Sequence, residues 1–247
     1  MRALICADIH ANLEALEAVL ELARQEAVDH LVVLGDLVGY GGAPGEVLAR
    51  LQAWDGPLTL LRGNHDKVVA GLADATDFNE LARASAEWTR AQLDDAQLAF
   101  VRELPMGPLA LDACGMLCHG TPFDEDVYLF SPTEAKQAFD ATEASLTFFG
   151  HTHLACFFLE RRGRVGAYLV RGEDSRLDLE EETRYLVNPG SVGQPRDGDP
   201  RAACILFDSA RGHLTWQRLE YPVERAQRRI LDAGLPAPLA ERLAVGG

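Results

Sequence analysis

Lysine is nearly absent from this 247-residue chain, where Lys67 and Lys136 stand against 21 arginines. Neither lysine follows a glycine, so no Walker A loop is present to cradle a nucleotide. Basic residues are outnumbered by 38 acidic ones, and the net charge is −15. Such a surface repels a phosphate backbone, which argues against extended nucleic acid and against a membrane surface as partners. Bound cations would be needed to create a local positive site. No apolar run reaches the roughly 18 residues that a bilayer-crossing helix requires. Cysteine is sparse and odd in number: Cys6, Cys114, Cys118, Cys156 and Cys204. None is spaced C-x-x-C, so a disulfide framework or a thiolate zinc site is not expected. They read as small core residues in a reducing compartment. The G-x-S-x-G nucleophile elbow is also missing, because Gly190 directly precedes Ser191. The N-terminal stretch carries one basic residue and a short apolar run that Asp8 interrupts. That is poor leader chemistry, and a cytoplasmic protein is expected.

What is there is ordinary globular material, 47% hydrophobic and 25% charged. The length suits one large domain or two small ones. Residues 2–7, 31–34 and 58–61 read as buried strands. Helical spacing separates them, with Leu13, Leu16, Leu20 and Ala23 on one face and Asn12 as N-cap. Residues 45–53 supply a second helix. This alternation predicts a parallel sheet with flanking helices. Residues 66–104 carry no strand pattern and predict a helical insertion, with helices near 66–72, 78–92 and 94–103. Strands are expected at 109–112 and 115–119, turning near Ala113-Cys114-Gly115, and at 145–149 after a helix over 132–143. Further strands are expected at 154–160, 164–170, 184–187, 202–207 and 213–219. Two helices over about 222–244 end the chain, and their Ile230, Leu231, Leu235, Leu239 and Leu243 either pack internally or form a homo-oligomer surface. With no repeat or long linker, residues 1–247 read as a single α/β domain with a mostly antiparallel later half.

Five of the seven histidines follow apolar strand-like runs, in Gly-, Asn- or Asp-rich turns. Loops after strand ends are where open α/β sheets place ligands. Asp8 and His10 are two apart, so on an extended chain they point to one side and suit a divalent metal. Asp36 is the first polar residue after a buried strand; it can bridge two cations or merely cap a turn. Asn64 offers an amide oxygen and His65 a titratable proton, while Asp66 orients His65 or caps the next helix. His119 stands at another strand end. His151 and His153 repeat the two-apart spacing. Residues 188–196, NPGSVGQPR, form a Gly/Pro loop whose glycines permit close backbone approach and whose Arg196 suits a bidentate phosphate contact.

In this order the motifs DIH (8–10), GDLVG (35–39), GNHD (63–66), CHG (118–120) and GHTH (150–153) resemble those of the calcineurin-like metallophosphoesterase superfamily. The NPGSVGQPR segment is similar to its small YfcE-like phosphodiesterase branch. The resemblance implies a four-layer αββα sandwich of two mixed β-sheets, with the helical insertion after the third strand. It implies two divalent ions, one held by Asp8, His10, Asp36 and His153, the other by Asp36, Asn64, His119 and His151. Oxygen and imidazole donors without thiolate suit manganese, iron, zinc or nickel. The implied activity is hydrolysis of small phosphodiesters or phosphomonoesters, nucleotides among the candidates, by a metal-bound hydroxide. His65 would donate a hydrogen bond or proton to the leaving oxygen, Arg196 and Arg62 would stabilise equatorial oxygens, and Tyr40 would stack on a base or an aromatic leaving group.

Two departures bear on substrate. Phosphoprotein phosphatases of the superfamily carry GD-x-x-D-R-G, where this chain has Gly39 and Tyr40, and GNHE, where it has Asp66. A phosphoprotein substrate is therefore disfavoured, and the usual carboxylate partner of His65 is missing. A metal-binding scaffold without catalysis is the other alternative, but all the ligand positions and His65 are intact.

Overall fold

A computed structural model describes residues 1–113, 115–172 and 175–247. The first half runs β1 (Arg2–Cys6), α1 (Leu13–Gln25), β2 (His30–Val33), α2 (Pro44–Gln52), β3 (Leu58–Leu60), α3 (Asn64–Val69), α4 (Glu80–Gln92) and α5 (Asp95–Glu103). Then come β4 (Leu109–Leu111), β5 (Gly115–Leu117), α6 (Pro132–Asp140), β6 (Leu146–Phe148), β7 (Ala155–Arg161), β8 (Arg164–Leu169), β9 (Arg176–Asp178) and β10 (Arg184–Pro189). The chain closes with β11 (Ala202–Asp208), β12 (His213–Leu219), α7 (Val223–Asp232), α8 (Ala237–Glu241) and a 3-10 turn over Arg242–Ala244.

The strands form two six-stranded mixed sheets, ordered β3-β2-β1-β11-β12-β9 and β4-β5-β6-β10-β7-β8. Strands β1, β2 and β3 run parallel, and β11 joins β1 antiparallel. Side-chain alternation sorts β1 between two cores. Ala3 and Ile5 point between the sheets with Val32, Leu146, Phe148, Val187 and Trp216, while Leu4 and Cys6 face the helices on the other side. Those helices include α1, whose Ala15, Leu16, Val19, Leu20 and Ala23 are buried and whose Asn12 side chain accepts the Ala15 N–H as N-cap. The second sheet is covered by α6 through Ala135, Ala138 and Phe139. Helix, sheet, sheet, helix is the four-layer order expected.

Differences from the sequence reading are local. The edge strand β9 was not expected, since its Arg-Leu-Asp sequence lacks the apolar run that marks the other short strands. Helix α3 starts at Asn64 rather than 66. The turn at Cys114 lies outside the described residues, and Cys6, Cys118, Cys156 and Cys204 are buried free thiols. In the C-terminal segment Ile230, Leu235, Leu239 and Leu243 pack inside, leaving Leu231 exposed. Among the described residues no helix is long and apolar enough to cross a membrane.

Candidate metal centre

The chemistry-bearing residues follow β1, β2, β3, β5 and β6, whose C-terminal ends converge on one edge of the sandwich. Asp8, His10, Asp36 and His153 bring one ligand atom each within 4.8 Å of one another, as do Asp36, His119 and His151. Asp36 Oδ2 belongs to both groups, lying 3.4 Å from His10 Nε2 and 3.5 Å from His119 Nε2. Its Oδ1 accepts the His65 backbone N–H at 2.9 Å. Asn64 Oδ1 stands 3.3 Å from His119 Nε2.

Backbone carbonyls decide which imidazole nitrogen is free. His10 Nδ1 donates to Val38 O (3.2 Å), His119 Nδ1 to Leu34 O (2.8 Å) and His153 Nδ1 to Gln194 O (2.6 Å). A carbonyl only accepts, so the proton sits on Nδ1 and the Nε2 lone pair faces the centre. His151 is turned the other way: its Nε2 donates to Asp126 O (3.2 Å), leaving Nδ1 for the site. The result tests whether a cation fits. His10 Nε2 and His153 Nε2 face each other at 3.1 Å as two lone pairs with no proton to share. Asp8 Oδ2 is buried with no hydrogen-bond partner. Facing lone pairs beside a bare buried carboxylate oxygen require an electrophile between them, and the donor set fits a divalent ion.

Electrostatics point the same way. Burial lowers His10 and His153 well below the ordinary imidazole range, and takes His151 down to about 3 and His65 to about 4. These rings are neutral at pH 7, the form that ligates. Burial would lower His119 too, but the Asp36 carboxylate outweighs it and pushes the ring up to about 9, so a cation taking its place at Nε2 displaces a proton there. Burial works to raise Asp36, yet His119, His65 and His10 hold it well below the usual carboxylate range. Burial raises Asp8 to about 7.

The turns themselves are unusual. Asp8, His10, Asp36, His151 and His153 all have positive φ, between 48° and 66°. The extended geometry expected of Asp8 and His10 is therefore wrong: left-handed backbone, not strand alternation, brings these ligands to one point. Close approach fixes Gly63, where a Cβ would stand 2.1 Å from Asp36 Oδ1. The NPGSVGQPR loop acts as a buckle. Val192 N and Gly193 N donate to Ala7 O and Asp8 O at 2.9 Å each, and Ser191 Oγ donates to Asp8 O at 2.8 Å. Asn188 Nδ2 donates to Gly150 O and Thr152 Oγ1. One loop thus clamps the DIH and GHTH turns together.

Family comparison gives this centre its context. A family model described as the calcineurin-like phosphoesterase superfamily domain matches residues 1–210. The chain belongs to this superfamily. Membership makes it a metal-dependent phosphoester hydrolase, and its relatives fall in the YfcE-like branch. It is 32% identical over 247 residues to the uncharacterized protein MJ0912 of Methanocaldococcus jannaschii, covering 98% of this chain and 97% of that protein. It is 27% identical over 214 residues to the phosphodiesterase YfcE of Escherichia coli, covering 83% and 87% respectively. A crystal structure of a metallophosphoesterase from Sphaerobacter thermophilus superposes with a TM-score of 0.84 at 36% identity, over 100% of this chain and 99% of that one.

The remaining expected residues divide. His65 is 4% exposed, with its ring centroid 4.9 Å from His10, 4.4 Å from Tyr40 and 4.5 Å from Phe78. Asp66 does not orient it. Its carboxylate accepts from the N–H groups of Gly63 (2.9 Å), Val38 (3.1 Å) and Leu37 (3.2 Å), stapling two ligand loops. Tyr40 is 6% exposed and packs against His10, His65 and the Arg196 guanidinium. Arg62 is turned away to Glu125, which it meets at 2.7 Å. Arg196 lies at the centre, beside the Tyr40 and Tyr128 hydroxyls. Sequence reasoning missed Tyr128, whose ring stacks on His151 at 3.8 Å, and Phe78. Both line a cleft of about 380 Å³ with Asn64, Lys67, Asp126 and His151. Only the position of Tyr128 in the loop after CHG hinted at a role.

Proposed function

We propose that the protein hydrolyses small phosphodiesters, and phosphomonoesters less readily, at a two-ion centre that uses residues of the single domain 1–247. The observation that supports it most is the Asp36 carboxylate oxygen shared between His10 and His119, beside the unprotonated His10–His153 nitrogen pair at 3.1 Å. Asp8, His10, Asp36 and His153 would hold one ion; Asp36, Asn64, His119 and His151 the other. Manganese, iron, zinc and nickel all suit these donors. Bound there, a cation pair supplies Lewis acidity, which acidifies water and screens phosphoryl charge.

The chain's own groups supply the rest. His65 Nδ1 is buried against Gly39 without a partner, so the neutral ring carries its proton on Nε2 and donates a hydrogen bond to the leaving oxygen as charge develops there. Tyr40 and Phe78 fix that ring by packing, in place of the missing carboxylate. The Arg196 guanidinium, steadied by Gln194 Oε1 at 2.9 Å, binds equatorial phosphoryl oxygens. The leaving group enters the cleft walled by Tyr128 and Phe78. The name of the Escherichia coli relative favours diesters. The net charge of −15 and the absence of the Asp-Arg element favour a small molecule over nucleic acid or phosphoprotein. The unpaired thiols favour a reducing compartment such as the cytoplasm.

The test is hydrolysis of bis(p-nitrophenyl) phosphate and p-nitrophenyl phosphate by chelated and metal-reconstituted protein. Turnover that vanishes with chelator and returns with a divalent ion is expected, faster on the diester. Protein that binds two ions yet turns over neither ester, nor any of a nucleotide panel, would favour the scaffold reading.

A further inference from the structure

Most arginines near the surface of this acidic protein are neutralised: Arg62 by Glu125, Arg184 by Glu160, Arg229 by Glu14 and Arg218 by Asp197. Arg196 and Arg242 differ. Among the described residues neither makes an ion pair with a carboxylate, and the Nε of each is buried without an acceptor. Both instead share one neutral oxygen, Gln194 Oε1, at 2.9 Å from Arg196 and 3.2 Å from Arg242. Two like charges on one amide oxygen repel each other at short range, and partial burial reduces the screening. Burial and the Arg196 charge together lower the Arg242 guanidinium from its ordinary value. In a chain with 38 acidic residues, such a pair without a carboxylate is positive charge left for an anion from outside to neutralise.

The two arginines are not equivalent. Arg196 is tied to the centre, its backbone N–H donating to His153 O at 3.2 Å and its guanidinium carbon 5.9 Å from the Tyr40 ring, whereas Arg242 joins it through Gln194 Oε1. Arg242 therefore stands one group further from the centre. It also comes from the C-terminal 3-10 turn, beyond the residues 1–210 that carry the family pattern. We propose that Arg242 and Arg196, joined through Gln194, form a second phosphate subsite, which selects substrates bearing another phosphate next to the one attacked. This assignment rests on the phosphoesterase reading of the centre. It gives the C-terminal helices a part in recognition: α7 and α8 carry the arginine to a place that the sheet edge alone would leave open.

The experiment is calorimetric binding of inorganic pyrophosphate and orthophosphate to the full-length, metal-loaded chain, desalted of free metal. The wild-type chain is expected to prefer pyrophosphate by about tenfold, the scale of one charge-assisted contact. Arg242→Gln should bring that ratio close to one, and Arg242→Lys should keep part of it. Arg161→Gln, which removes an exposed pair with Glu180, should keep the whole ratio. A ratio near one in the wild type, or an unchanged ratio in R242Q, overturns the subsite. If R242Q does not fold, the wild-type and R242K ratios decide. Because binding is read rather than turnover, a chain that kept the preference but hydrolysed no ester would remove the hydrolase reading and leave this subsite standing.

Discussion

The two halves of the centre are built differently. The half with Asp8, His10 and His153 is sealed, each side chain no more than 2% exposed. It is backed by the Val38 and Gln194 carbonyls and locked by the 188–196 buckle. The other half keeps His119 buried but opens on the cleft through Asn64 and His151, and the ring stacked on His151 belongs to Tyr128, which is 41% exposed. Asp36 joins the two. The difference separates holding from meeting: one half is embedded in the fold, the other faces what arrives. On the proposed two-ion reading it also implies unequal exchange, with the ion of the open half leaving first.

The largest effect should come from destroying the link between the halves. Asp36→Ala removes a ligand from both, so metal analysis should show both ions lost and hydrolysis down by several orders of magnitude. Retention of one full equivalent would mean that Asp36 does not bridge. Next, His65→Ala should lower kcat by about 10²–10⁴ with metal content intact; unchanged turnover would take His65 out of the reaction. The comparison is sharpened by pairing Asn64→Ala with Asp8→Ala in chelator titrations. Asn64→Ala should release one ion at lower chelator while the other stays; identical release from both variants would erase the distinction between halves. Asp66→Ala leaves three loop N–H groups without an acceptor, and should cost at least about 1.5–3 kcal/mol in urea unfolding, the range for hydrogen bonds to a charged group. The smallest change is Ser191→Ala, expected at about 1–2 kcal/mol, since it deletes two neutral hydrogen bonds of the buckle, to Asp8 O and from the Gln194 N–H; no loss of stability would show that the backbone contacts of Val192 and Gly193 suffice.

Much of this was legible because short-range patterns carried it. The apolar runs at 31–34 and 58–61 predicted parallel strands, and Asn12 predicted the start of α1. The DIH and GHTH spacings picked out residues that the structure assembles, though through a backbone geometry the spacing does not encode. What stayed hidden depends on pairs far apart in the chain. Arg62 looked free for substrate because its partner, Glu125, lies 63 residues on. Phe78 and Tyr128 belong to no motif, and the meeting of Arg242 with Gln194 spans 48 residues. Asp66 sat in a recognised motif, but its service to the Leu37 and Val38 amides follows only from how two loops cross.

The left-handed turns at Asp8, His10, Asp36, His151 and His153 carry a lesson for anyone moving this chemistry elsewhere. Copying the same letters onto the ends of ordinary strands would scatter the donors, because their aim is a matter of main-chain chirality before it is one of side-chain identity. A transplant would have to bring the clasping loop along, since an unusual conformation persists only where its surroundings leave no easier alternative.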